Sequence, residues 1–390
     1  MDKTRKILFI KGTPAPSGYY RMGQIHQELQ RLGYATDIIM YTEIDPVTLL
    51  GYKNTDGKLD AEPRPEDVID LKSFHTVIFQ LVWHEALNSV IDKLKKLGTR
   101  VCMEVDDNYM CLPASNPSFY SFHPRAKIVK DDDDKLIIKM VSKKYKLTAG
   151  RGGQPKYVVD RTKDTHINFT LDNMFRAARN VDMMQVSTPE LAQSYSVFNK
   201  NIFVWENCID NSLYDNMIKV KGDAPCILYT GTRTHEEDLR LIDGCIPDNC
   251  KLIIAGFPQI EGKMFKYHEN IEFLPPFALN ELPDLLSLCD IGIAPLVDCK
   301  FNAGKSDLKG IEYGAMSIPI IASDVAPYRR WIRHGENGFI ARKTKHWIKY
   351  LQQLVDDSAL RSQLGAEAKK DAVKRDIKNN IHRWIERYYT

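Results

Sequence analysis

Residues Lys305–Asp324 read KSDLKGIEYGAMSIPIIASD, and the fold turns on this stretch. Leu308, Ile311 and Ala315 recur at i, i+3 and i+7, which makes one helical face apolar. Ser306 stands where a helix N-cap is expected, and the helix is expected to stop near Ser317. Ile318–Ala322 then reads as a short, fully buried strand. Lys305 flanks the helix N-terminus, where free N–H groups and the helix dipole both favour an anion. A diphosphate above Lys305 and Ser306, with Glu312 on a neighbouring sugar hydroxyl, is a coherent picture; a plain capped helix is the bland one. Gly-Lys-Ser resembles the end of a P-loop, but that pattern needs glycine at position 299, which is Cys299.

Outward from this helix the chain alternates strands and helices in both directions. Lys6–Ile10 is a buried strand, followed by the loop KGTPAPSGYYR (11–21) and a helix over Met22–Leu32 ended by Gly33. Gly18 and Arg21 lie where such a βα turn meets a ligand, although a Pro-rich turn alone gives the same sequence, and there is no G-x-G-x-x-G fingerprint. His75–Val82 and Val101–Asn108 are further strands. The second of these ends in Glu104, Asp106 and Asp107, at the edge where parallel sheets place their functional residues. Asp106 and Asp107 are candidate catalytic residues, for acceptor binding or electrostatics rather than for a metal; a surface acidic turn is the alternative. Met183–Val186, Thr188–Phe198 and Ile202–Glu206 supply another strand, helix and strand.

A second alternation begins with Pro225–Tyr229 and the turn Gly231-Thr232-Arg233-Thr234-His235, and continues through Lys251–Ala255, Ile271–Leu274 and Asp290–Leu296. Two such series argue for two doubly wound parallel sheets. Amphipathic helices are expected at His346–Val355, Ser358–Val373 and Ile377–Tyr389. The domains are expected at 1–215 and 216–375, with a last helix over 376–390.

Between about 109 and 170 the pattern loosens into an insertion. Lys135, Lys139, Lys143, Lys144, Lys146, Arg151, Lys156, Arg161 and Lys163 stand there against Asp160, with Tyr145 and Tyr157 among them. Basic charge with interleaved aromatics suits a phosphate-rich partner, whether polyanionic glycan, lipid headgroup or nucleic acid. A solvated insertion is the simpler reading.

The run NAGKSDLKGIEYGAMSIPIIASDVAPYRRWIRHGENGF (302–339), with VSTPELAQSY and WENCID upstream, resembles the GT-B glycosyltransferases, close to the retaining group 1 (family 4) class. The resemblance implies an α/β fold of two Rossmann-like domains facing a central cleft, with the last helix, 376–390, packing back on the first domain. It implies transfer of a sugar from a UDP- or GDP-sugar to a hydroxyl acceptor, with retention and without a tightly bound cofactor or metal. On this mapping Asn302, Lys305 and Ser306 lie near the diphosphate, Glu312 binds the ribose, and Arg233, with His235 second, contacts the diphosphate. Lys305 also serves catalysis by neutralising the leaving group. Asp106 stands where many relatives have histidine. Gly304 stands where the family's E-x7-E signature has its first glutamate. The implied acceptors are an envelope glycan, a lipid-linked glycan or a hydroxylated base in DNA. A nucleotide-sugar epimerase and a binding protein without turnover are the alternatives.

Bulk properties narrow the class. The 390 residues suffice for two cores, and 43% hydrophobic with 27% charged residues is ordinary for a globular protein. A net charge of +3 gives no global attraction to nucleic acid or membrane. The eight cysteines form no C-x-x-C pair, and no apolar run is long enough to span a bilayer. Reduced thiols in a cytoplasmic protein are the expectation, and the oligomeric state is open.

Overall fold

The computed structural model describes residues 2–41, 73–116, 118–119, 170–215, 217–220, 222–256, 264–265 and 268–390, with the backbone of four further strands between 126 and 159. In chain order the strands are β1 (Ile7–Lys11), β2 (Thr36–Met40), β3 (Thr76–Gln80) and β4 (Arg100–Val105). Then come β5 (Ala126–Lys130), β6 (Leu136–Met140), β7 (Tyr145–Ala149), β8 (Pro155–Val159), β9 (Met183–Val186) and β10 (Ile202–Val204). The second half adds β11 (Cys226–Thr230), β12 (Lys251–Ala255), β13 (Ile271–Leu274), β14 (Ile291–Ala294), β15 (Ile320–Ser323) and β16 (Gly338–Ala341).

They form two six-stranded sheets, ordered β10-β9-β4-β3-β1-β2 and β13-β12-β11-β14-β15-β16, and every pairing within them is parallel. Strands buried on both faces explain the unbroken apolar runs: Thr76–Gln80, Cys226–Thr230 and Ile320–Ser323 are buried at every position. β5–β8 form a separate antiparallel sheet within the expected basic insertion, whose remaining residues lie outside those described, as does the 42–72 connection.

Two local readings differ from the sequence expectation. The first helix starts earlier, with a turn at Pro16–Gly18 and a π-helical turn over Tyr19–Gly23 before the α-helix Gln24–Arg31. A π-turn inserts an extra residue, so that the side chains beside it turn off the helical stripe, a common device near functional sites. Gly18 makes the entry possible, since a Cβ there would lie 2.2 Å from the Thr13 carbonyl oxygen. The helix after Lys305 is Leu308–Ala315 and its N-cap is Asp307, not Ser306. Asp307 is held by Arg375, whose Nη1 lies 3.0 Å from Asp307 Oδ2, while Ser306 is drawn toward the opposite domain.

The last helix, Ile377–Tyr389, lies against the first sheet. Trp384 Nε1 and Tyr388 Oη both donate to Gln185 Oε1, at 2.9 and 3.0 Å, and Trp384 packs near Phe9. The cysteines are free thiols, and burial pushes Cys102 and Cys208 up to about 12. Among the described residues no helix is long and apolar enough to cross a membrane.

Candidate active site

Both sheets present the carboxyl ends of their strands to one cleft, the position where open α/β sheets bind ligands. It holds a cavity of about 390 Å³, within the usual range for a small-molecule site. Residues from both domains line it, including Tyr20, Asp106, His235, Lys305, Lys309 and Glu312.

The wall on the first domain is built from Arg21 outward. Arg21 is 1% exposed; its Nε meets Glu104 Oε1 at 2.5 Å and its Nη1 donates to the Trp205 carbonyl and to Asn207 Oδ1 at 2.6 and 2.7 Å. Asn207 Nδ2 in turn donates to Ser306 Oγ at 2.9 Å, so a hydrogen-bond chain runs from β4 across the cleft. Among the described residues, Arg21 Nη2 and Glu104 Oε2 are buried without a hydrogen-bond partner. Burial raises Glu104 to about 8, with Arg21 pulling the other way. Burial, then repulsion from Asp107, raises Asp106 to about 6 against the pull of Arg21 and Lys305.

The facing wall is the helix Leu308–Ala315 and the turn before it. Lys305 Nζ lies 3.2 Å from Asp107 Oδ1, joining the two domains at the centre of the cleft. Lys309 stands one turn further along the same face, its pKa lowered by burial. Glu312 Oε1 accepts from Tyr20 Oη at 2.7 Å, and burial raises Glu312 to about 7, with that hydrogen bond and Lys309 working against it. His235 Nδ1 lies 2.8 Å from Asp238 Oδ2, and burial lowers its pKa to about 4.

Of the expected site residues, Asp106, Asp107, His235, Lys305, Ser306 and Glu312 come together on the cavity. Three do not line it. Arg233 is exposed on the turn Arg233–His235, Gly18 is buried against the Thr13 carbonyl, and Asn302 donates from Nδ2 to Asp238 Oδ1 and the Val297 carbonyl, at 3.0 and 2.9 Å. Tyr20, Lys309 and Asp238 complete the site without having been singled out from sequence. The spacing of Lys309 from Lys305 and Glu312 was the one available signal; the π-turn that aims Tyr20 has none. Among the described residues no group of three or more His, Cys, Asp or Glu could hold a metal ion.

Two parallel six-stranded sheets that meet at a cleft at their carboxyl edges form the GT-B fold of known glycosyltransferase structures. Residues 236–357 match the family described as glycosyl transferases group 1, so the resemblance read from residues 302–339 is confirmed. The chain is 32% identical over 105 residues to the D-inositol 3-phosphate glycosyltransferase of Rhodococcus opacus and 31% identical over 105 residues to that of Rhodococcus jostii. Each match covers 26% of this chain and 22% of the relative, so the chain matches about a fifth of the length of these curated relatives. Among solved structures it is similar to sucrose-phosphate synthase of Thermosynechococcus elongatus, with a TM-score of 0.59, 12% identity, and 99% and 98% of the two chains covered. It is equally similar to Anabaena HepE in complex with UDP and glucose, with a TM-score of 0.59, 10% identity, and 99% of each chain covered. At these identities the structural likeness concerns the fold.

Proposed function

We propose that this chain is a retaining glycosyltransferase that moves a sugar from a nucleoside-diphosphate donor to a hydroxyl acceptor. The observation that carries the reading is the arrangement of the cavity: Lys305, Lys309 and Glu312 on one wall face Asp106 and Asp107 on the other. A departing nucleotide places its new charge on the diphosphate, and two lysines in a partly dehydrated cleft stabilise that charge far better than water would. Glu312 takes the ribose hydroxyls when Tyr20 gives way. HepE, solved with UDP and glucose, supports a UDP-sugar as the donor.

In the step, the acceptor oxygen bonds to the anomeric carbon on the face the nucleotide leaves. The anomeric carbon–oxygen bond breaks, its electron pair departs with the nucleoside diphosphate, and the acceptor proton passes to the leaving phosphate oxygen. Asp106 and Asp107 orient the acceptor hydroxyl and oppose the positive charge that develops on the sugar. The acceptor class is a glycan or lipid-linked glycan.

The test is nucleotide release from UDP-, GDP- and ADP-sugars, with and without crude glycan acceptors, for the wild type and Lys305→Ala. Release that depends on one donor and on Lys305 supports transfer. Donor binding without release points to a nucleotide-sugar binding protein, the reading that Gly304 favours. Neither binding nor release overturns both.

A further inference from the structure

Two facts about the cleft belong together. The first is that position 304 is crowded: a Cβ on Gly304 would lie 3.0 Å from Leu191 Cδ2 and 3.3 Å from Asn108 Cβ, so a side chain there needs its neighbours to give way. Thr188 Oγ1 also donates to the Gly304 carbonyl at 2.9 Å, pinning this backbone against the first domain. With glycine here, position 304 offers no side-chain acceptor.

The second is the state in which His235 is held. Asp238 is 5% exposed, and its Oδ1 already accepts from the Val297 amide at 2.7 Å and from Asn302 Nδ2 at 3.0 Å. Two donors fix the group as an acceptor, so the proton in its 2.8 Å contact with His235 belongs to the ring Nδ1. That leaves Nε2, on the far side of the ring, with a lone pair. His235 lines the cavity, its side chain keeps 13% exposure, and among the described residues Nε2 has no hydrogen-bond partner. A neutral imidazole nitrogen with a lone pair repels phosphate oxygens and welcomes a hydroxyl proton.

We propose that His235 is a specificity-determining residue that accepts, through Nε2, a hydrogen bond from a hydroxyl of the donor sugar, in a cleft where Gly304 supplies no side-chain acceptor. Asp238 is the positioning residue that selects the tautomer. The assignment rests on the reading that a nucleotide-sugar occupies this cavity, and it replaces the diphosphate role expected of His235 from the turn sequence.

The test uses the full chain, UDP, UDP-glucose and the set of UDP-deoxyglucoses, with affinity measured by calorimetry and turnover by nucleotide release. In His235→Ala the affinity for UDP stays within about twofold, while UDP-glucose weakens roughly tenfold, the scale of one hydrogen bond. For one deoxy donor, and only one, the wild type and the variant behave alike. His235→Gln, whose amide oxygen is also an acceptor, restores part of the loss. Asp238→Asn, shown folded by its thermal melt, imposes the other tautomer and matches His235→Ala in its loss of sugar discrimination. Equal weakening for UDP and for every UDP-sugar places His235 on the nucleotide and overturns the proposal, as does unchanged sugar discrimination in His235→Ala. Failure of the wild type to bind any nucleotide or nucleotide-sugar instead overturns the glycosyltransferase reading beneath it.

Discussion

The Tyr20 hydroxyl donates to Glu312 Oε1 at 2.7 Å, joining the π-turn of the first domain to the helix that follows Lys305 in the second. In the proposed reading Glu312 receives the ribose, so an incoming nucleotide is expected to compete with Tyr20 for it. Tyr20→Phe removes the competitor but leaves a buried carboxylate short of a donor, an imbalance that costs about 1–3 kcal/mol. The variant is expected to melt at lower temperature when empty and to recover more stability on adding UDP than the wild type does.

The same pair sets a pH dependence. Glu312 is raised to about 7, so its acceptor form appears as pH rises through neutrality, and donor affinity is expected to increase over that range. Without the Tyr20 hydrogen bond the midpoint moves higher. The sign for stability is opposite. Between its ordinary 4.5 and about 7 the folded state holds a proton that the unfolded chain releases, so this group's contribution falls as pH rises. Glu312→Gln is expected to remove both effects. Calorimetric titrations of UDP and melts across pH for the three proteins check the pair of signs.

Gly304 yields a prediction that runs against the family pattern. Restoring the first glutamate of the signature is expected to damage this protein, because Leu191 and Asn108 already fill the space. Overpacking of this kind costs about 1–3 kcal/mol, with Gly304→Ala at the low end and Gly304→Glu at or beyond the high end. Leu191→Ala combined with Gly304→Glu is expected to melt above Gly304→Glu alone, since the shortened side chain vacates the position. Lower stability of the double variant than the sum of the singles would remove this account of the glycine.

How much of this was legible follows from periodicity and from distance along the chain. Apolar runs such as Thr76–Gln80 announced buried parallel strands, because a strand covered on both faces has no polar side to display. Lys305, Ser306 and Glu312 were legible because one short stretch carries them, Glu312 on the helix Leu308–Ala315 and the other two in the turn before it. Contacts made across the cleft were not. Tyr20 and Glu312 are 292 residues apart and Lys305 and Asp107 are 198 apart, and no local pattern encodes such pairs. Ser306 was read as an N-cap on local grounds; Asp307 stands at that position instead, its carboxylate engaged by Arg375 and Ser306 by Asn207, both remote in sequence.

Arg21 and Glu104 form an ion pair with side chains 1% and 0% exposed. Removing one partner of such a pair leaves the other buried without its counterpart and costs about 3–5 kcal/mol, whereas replacing both by apolar groups is often close to neutral. Arg21→Met is therefore expected to lower the melting temperature sharply, and Arg21→Met with Glu104→Leu to recover most of it. The double variant still loses the Arg21 hydrogen bonds to the Trp205 carbonyl and Asn207, so its nucleotide affinity remains below that of the wild type. Recovery of affinity along with stability would deny Arg21 any part in holding Asn207 against Ser306.

Asp107 and Lys305 meet at 3.2 Å, and they act on Asp106 with opposite signs. Repulsion from Asp107 raises Asp106 and attraction to Lys305 lowers it, with about 6 as the result. If the ionised Asp106 orients the acceptor, turnover falls on the acid side near that value. Asp107→Asn removes the repulsion and is expected to move the acid limb to lower pH. Lys305→Ala removes the attraction and is expected to move it to higher pH. The two variants part again on UDP. Lys305→Ala loses a charge-assisted contact and weakens binding about tenfold or more, while Asp107→Asn frees Lys305 and tightens it. Opposite shifts in both readouts are a pattern that simple misfolding does not produce, since damage to the cleft moves both variants the same way. An acid limb that stays fixed in both variants would take Asp106 out of the reaction and leave Lys305 as a binding group alone.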